Sequence, residues 1–288
     1  MGKADRVMNN RKVLKRGWFG SSISYVYLII LTIFSVFPLL WILLSSVKSK
    51  GEITKYPTEI LPRQFTLDYY KTVLGQLKFT ENIANSLVVA LCTTIIATVI
   101  SAMAAYAIVR FFKRLSKALT RLMLMTYMFP TILLAIPYSI TIGSLGLTNT
   151  RTGLVIAYLS FSVPYAVYLL VGFFKTVPIG IEEAARVDGA SKWQIFFKVS
   201  CPIVAPGIVA VAIYTFINAW NEFLYSLILI NSREKMTVSV ALRSLEGQEV
   251  LDWGTMMAAS ALVVIPSVVF FMLIQNKIAG GLAEGSVK

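Results

Sequence analysis

Residues 182–206 read EEAARVDGASKWQIFFKVSCPIVAP, a polar island between two long apolar segments, and this stretch organises the rest of the chain. Pro178 ends the helix before it, because a proline nitrogen has no hydrogen to donate. Glu182 and Glu183 then fall in a first helical turn, where carboxylates suit the positive end of the helix dipole. Ala184 and Ala185 favour helix, and Gly189 is placed to end it in a left-handed conformation. Ser191 with Gln194 forms a capping-box pattern for a second short helix, which carries Trp193, Ile195 and Phe196. The spacing predicts two small helices at a sharp angle. They make a knob with an apolar-plus-acidic surface, held at a membrane face and shaped for a groove on another protein.

Composition supplies the membrane. Apolar residues make up 57% of the 288 and charged residues only 14%, which predicts an all-α, polytopic membrane protein. Six segments are long enough to cross ~30 Å of hydrocarbon at about 1.5 Å per residue. They lie near Ser24–Val47, Asn82–Val109, Ala118–Ile140, Leu154–Phe174, Ile203–Ile230 and Gly254–Gln275. Prolines 38, 130, 137, 164 and 266 fall inside them and predict kinks in a packed bundle. The expected division is a basic leader at 1–22, a six-span domain at 23–276 holding the island loop at 178–202, and a tail at 277–288. The apolar run after the leader is too long for a secretory signal and reads as a retained first span.

With the amino terminus inside, 17 of the 27 Lys and Arg residues fall on the inner side, which satisfies the positive-inside rule. That orientation puts both termini and the 182–206 knob in the cytoplasm. The net charge of +13 is then topological, directed at anionic lipid, and implies no nucleic-acid partner. Histidine is absent, so the commonest general base and metal ligand is missing, and no metal site is expected. The cysteines, Cys92 and Cys201, lie far apart and suggest no disulfide framework. The chain holds no GxxxxGK[ST] phosphate loop, so any ATPase must sit on another subunit. Paired carboxylates and Cys/His pairs are also lacking, which argues against an enzyme.

The island resembles the cytoplasmic loop of ABC importer permeases, which has the form EAA, three residues, G, nine residues, I-x-L-P. Glu183-Ala184-Ala185, Gly189, Val199 and Pro202 fall at that spacing, with Val199 in place of Ile and Cys201 in place of Leu. The resemblance extends along the chain and narrows to the carbohydrate importers, the maltose-permease-like subunits. It runs through Tyr56-Pro57 to Leu61-Pro62, Phe65-Thr66-Leu67, Asn85-Ser86, Ala104-Ala105-Tyr106-Ala107 with Arg110, and Ile136-Pro137-Tyr138. Leu145-Gly146-Leu147 with Asn149-Thr150, Trp220-Asn221-Glu222-Phe223 and the tail from Gly280 match as well.

The resemblance implies a type I ABC importer permease fold with six transmembrane helices and a cytoplasmic coupling helix, in a bacterial inner membrane. Glu182, Glu183, Ala184, Ala185, Asp188, Gly189 and Pro202 would then couple to the ATPase. It further implies a second permease subunit, an ATP-binding subunit dimer that holds ATP and Mg, and an extracytoplasmic sugar-binding protein. The chain itself would carry no cofactor. The Gly280–Gly285 tail would reach between the ATPase subunits. The sugar is left open between maltose-like, other neutral, and acidic alginate-like oligosaccharides.

In the fifth segment Tyr214, Thr215, Asn218, Asn221, Glu222 and Tyr225 recur at steps of three and four, which predicts one polar stripe on an apolar helix. An intramembrane carboxylate is costly and should face protein or water. The stripe reads either as the wall of a translocation path suited to a polyol or as hydrogen-bond glue to a neighbouring helix. Tyr127, Phe129 and Tyr138 are candidates for stacking on sugar rings, although aromatics in spans commonly serve packing. Arg110, Lys113 and Arg114 read as a snorkelling, lipid-facing cluster. The rival reading is an ion-gradient-driven secondary transporter with Glu222 as its proton site; it lacks a histidine or arginine partner in the spans.

Overall fold

The structure, a computed structural model, describes residues 18–246 and 252–285. Regular structure among them is entirely helical. We number the principal helices α1 (Trp18–Ser45), α2 (Phe79–Arg110), α3 (Ser116–Met128), α4 (Ala135–Ser144), α5 (Arg151–Thr176) and α6 (Ile179–Val187). Then come α7 (Lys192–Ile203), α8 (Ala205–Asn221), α9 (Leu224–Leu229), α10 (Val238–Ser244) and α11 (Trp253–Gly285). Among the described residues, four helices are long and apolar enough to cross a membrane, and counting two sharply bent pairs as one span each brings the number to six.

α1 starts inside the stretch read as a leader, the rest of which lies outside the described residues. α11 continues as helix to Gly285, so the expected boundary at 276 is not a break in the backbone.

The longest helices make the centre. α2 runs against α5, α8 packs on both, α11 packs on α8, and α1 rests on α11. Two apolar clusters lie at opposite ends of the α2–α5 pair. One gathers Phe79, Val89, Tyr158, Phe216 and Trp220; the other gathers Tyr106, Val167, Phe174, Phe196 and Val211. Small residues let the helices approach, as they must where lipid tails supply no hydrophobic drive between helices. A Cβ on Gly207 would sit 2.3 Å from the Phe173 ring, so α8 meets α5 there only because the residue is glycine. α1 leaves most of its apolar side chains uncovered, Phe34 at 81% exposure.

Two expected spans are broken rather than kinked. The third bends by 83° between α3 and the turn Thr131–Leu134 that leads into α4. Phe129 and Pro130 are both extended there, with ψ of 130 and 116. The cause is Pro130, whose ring disfavours the helical region for the residue before it. The fifth, read as continuous from Ile203 to Ile230, bends by 78° before α8 and breaks again after Asn221. At that second break Glu222 is extended, with ψ of 130.

At the end of the bundle away from the knob, polar side chains hold the 230–238 segment in place. The Asn82 amide donates to the carbonyls of Arg233 and Met236, and the Asn85 amide donates to those of Glu234 and Met236. Ser86 Oγ accepts from the Val238 N–H at 2.8 Å. Asn149, in a left-handed conformation, accepts through Oδ1 from the backbone N–H groups of Asn231 and Ser232.

Candidate functional site

The 182–206 island folds as two short helices. α6 ends at Gly189, whose φ of +85 is the left-handed turn that its sequence position predicts. Ser191 then caps α7 with a full capping box: its Oγ accepts from the Gln194 N–H, and Gln194 Oε1 accepts from the Ser191 N–H at 2.7 Å. A π-helical stretch, Ile195–Ser200, turns Ile195, Phe196 and Ser200 inward. Glu183, Ala184, Asp188, Gly189 and Pro202 are exposed and Ala185 is half-buried. Val187 is 88% exposed and Trp193 60%. The exposed surface of the knob therefore joins apolar side chains to both carboxylates and cations, Arg186, Lys192 and Lys198 being exposed as well.

Glu182 differs from its neighbours because it is buried. Its two carboxylate oxygens each accept from Arg110 Nε at 2.9 Å, and Oε1 also accepts from Ser200 Oγ at 2.8 Å. The Tyr106 hydroxyl donates to Oε2 at 3.4 Å, and Arg110 Nη2 donates to the Val177 carbonyl at 2.9 Å. Arg110 is thus no lipid-facing residue, which corrects the sequence reading; Lys113 and Arg114 remain exposed. Hydropathy counting treats a terminal arginine as a snorkeler. Only the fold brings a carboxylate 72 residues away to meet it.

The second feature is a half-open cavity of about 560 Å³ bordered by α3, α5, α8, α9 and the helix breaks at Pro130 and Glu222. Asn218, Asn221, Tyr214, Tyr127, Phe129 and Ser162 line it, with Thr131, Glu222 and Tyr225 at the breaks. Tyr127 and Tyr214 share a hydroxyl–hydroxyl bond of 2.8 Å, and Tyr165 packs against both rings. Asn218 and Asn221 each donate to a carbonyl one turn back, and both are exposed towards the cavity.

The expected stripe is therefore divided. Tyr214, Asn218, Asn221, Glu222 and Tyr225 meet at the cavity, whereas Thr215 is fully buried and lies outside the lining. Glu222 is not on the α8 helix. It stands before α9 and accepts from the Tyr225 N–H at 2.9 Å and the Ser226 N–H at 3.2 Å. A carboxylate at a helix start satisfies donors that no preceding turn can reach. Glutamate is not among the residues that mark a helix start in a sequence, and the apolar run around Glu222 concealed this one. Of the aromatic candidates, Tyr127 and Phe129 reach the cavity, while Tyr138 packs edge-on against Tyr225 at 5.5 Å.

A family profile described as binding-protein-dependent transport system inner membrane component matches residues 97–283, which spans both the knob and the cavity. The chain belongs to that family. As an inner membrane transport component it carries a multi-pass permease fold, and ATP hydrolysis resides on a separate subunit. This permease is 32% identical over 270 residues to the diacetylchitobiose uptake system permease protein NgcG of Streptomyces coelicolor, covering 93% of this chain and 89% of that one. It is 35% identical over 257 residues to the trehalose transport system permease protein SugB of Mycobacterium tuberculosis, covering 88% and 93%. A solved bacterial ABC transporter involved in import of the acidic polysaccharide alginate contains a chain of the same fold. Its TM-score is 0.77 at 22% identity, over 89% of this permease and 95% of that chain.

Proposed function

We propose that this permease is one half of the membrane pathway of an ATP-driven, binding-protein-dependent importer of oligosaccharides or other glycosides. The observation that carries the reading is the exposed knob of apolar and charged side chains, held on the same helices that wall a polar cavity. Relatives at 30% identity or more are named for diacetylchitobiose, trehalose and sulfoquinovosyl glycerol, whose shared chemistry is the glycoside. A lining of tyrosine hydroxyls, carboxamides and a phenylalanine face suits a polyhydroxylated ring, with polar edges for hydroxyls and aromatic faces for C–H surfaces.

In this reading the knob and both termini are cytoplasmic, and the 230–238 segment faces the binding protein. A second permease completes the cavity. An ATP-binding subunit dimer, holding ATP and Mg, receives Glu183, Ala184, Ala185, Asp188, Gly189 and Pro202. Closure of that dimer rocks the helices and exposes the cavity outward. The sugar passes without chemistry.

A cross-linking experiment tests docking and orientation together. With Cys92 and Cys201 replaced by alanine, Val187→Cys should join to lysine amines of the co-expressed ATP-binding subunit through a short thiol-to-amine reagent. Gln64→Cys, at the opposite end, should not. Cross-linking from Gln64→Cys and none from Val187→Cys would overturn both the docking face and the orientation.

A further inference from the structure

The two adjacent carboxylates of the knob point in opposite directions. Glu183 is exposed, and Glu182 is buried among Arg110, Tyr106 and Ser200. We propose that the Glu182–Arg110 pair is a positioning device: it locks the knob to the end of α2 so that movement of the docked ATPase is carried into the cavity-lining helices. The proposal rests on the permease reading above and assigns Glu182 to transmission and Glu183 to docking.

The geometry supports this division. Glu182 stands on α6 and bonds to Ser200 on α7, so one carboxylate joins both helices of the knob. Arg110 is the last residue of α2 and reaches that carboxylate through Nε. Its Nη2 holds the Val177 carbonyl in the short link between α5 and α6. Four segments therefore meet at one ion pair, and the planar guanidinium fixes their relative angle as a single flexible contact would not. Around the pair, Tyr106 packs on Phe174 and Phe196 at 5.6 and 5.1 Å between ring centres, joining α2, α5 and α7 through apolar contact. Water is kept from the pair, so the attraction is weakly screened. Removing one partner leaves the other buried and uncompensated. α2 and α5 are the helices on which α8, with Asn218 and Asn221, is packed. A rigid corner at Arg110 thus connects the docking face to the cavity through continuous helix.

The test reads transmission without needing the sugar. In the complete complex with binding protein, on a background free of Cys92 and Cys201, Asn218→Cys reports cavity access through its rate of labelling by a membrane-impermeant maleimide. In otherwise unaltered protein, ATP with vanadate should change that rate by about tenfold, within the usual range of coupling between sites. Glu182→Gln should still co-purify with the ATP-binding subunit and trap nucleotide, while the change in labelling is lost. Glu183→Gln should instead weaken co-purification. The reversed pair, Arg110→Glu with Glu182→Arg, should recover the nucleotide-dependent change. A full labelling response in Glu182→Gln would overturn the proposal. So would loss of assembly in Glu182→Gln that the reversed pair does not repair, or repaired assembly without the response. If the unaltered complex shows no nucleotide-dependent change at all, the ATP-driven permease reading is what fails.

Discussion

The Tyr225 hydroxyl donates to the Thr131 carbonyl at 2.9 Å, and this one bond joins the helix break at Pro130 to the helix break at Glu222. Thr131 begins the turn after the Phe129–Pro130 break, and Tyr225 lies in the first turn of α9 after the Glu222 break. Irregular backbone is tolerated at membrane depth only where it is buried in protein or lines a water-filled cavity. Here both breaks open on the same cavity. Tyr225→Phe keeps the ring contacts with Tyr138 and Phe161 and removes only the hydroxyl. A neutral hydrogen bond contributes about 1 kcal/mol, so uptake should fall by roughly fivefold with assembly intact. Wild-type initial uptake rates in this variant would separate the breaks from transport.

The exposed carboxamides of Asn218 and Asn221 are the most accessible polar groups that α8 offers the cavity. Asn218→Leu or Asn221→Leu keeps rough volume and removes donors and acceptors, and membrane insertion should be unharmed. Sugar uptake should drop by about tenfold or more for each, about 1.4 kcal/mol, while the complex still hydrolyses ATP. A complex that instead dissociates on extraction would make these residues interhelical glue.

Much of this was legible in the sequence. Gly189, Ser191 and Gln194 specify their turn and cap by local chemistry alone, and the structure has them as expected. The long spans are legible because hydropathy needs no partner. The role of Arg110 is not legible in the sequence because its partner, Glu182, lies 72 residues away. The break at Glu222 was hidden because periodicity from Tyr214 to Tyr225 fits an unbroken helix, so nothing local marked the change of direction. Thr215 shares the spacing of the polar stripe, yet it is fully buried.

Glu52 makes a pH prediction in the loop between α1 and α2. The Arg63 backbone N–H, 2.6 Å from Oε1, and the Ser49 hydroxyl, 2.7 Å from Oε2, hold its carboxyl down to about 2. A depressed acid stabilises the folded loop above the ordinary carboxylate value of about 4.3. That contribution is lost as pH falls from there through about 2. Hydrogen exchange at Ser49 and Arg63, corrected for intrinsic rate, should be slow at pH 5 and accelerate across this window. In Glu52→Gln it should already be fast at pH 5. An unchanged exchange profile in the variant would remove Glu52 from the loop's organisation.

If ATP hydrolysis on a partner drives transport, Glu222 serves as a helix cap rather than a proton carrier. Both carboxylate oxygens of Glu222 already accept backbone N–H groups of α9. Glu222→Gln keeps an acceptor for the cap and cannot titrate in the working range. The deciding measurement is sugar accumulation in sealed vesicles carrying the complete complex, with either ATP at the knob side or a pH gradient alone. Wild type and Glu222→Gln should both accumulate sugar with ATP, within about tenfold of each other, and neither should respond to the gradient. Gradient-driven accumulation by wild type without ATP, abolished in Glu222→Gln while sugar exchange survives, would contradict ATP-driven transport.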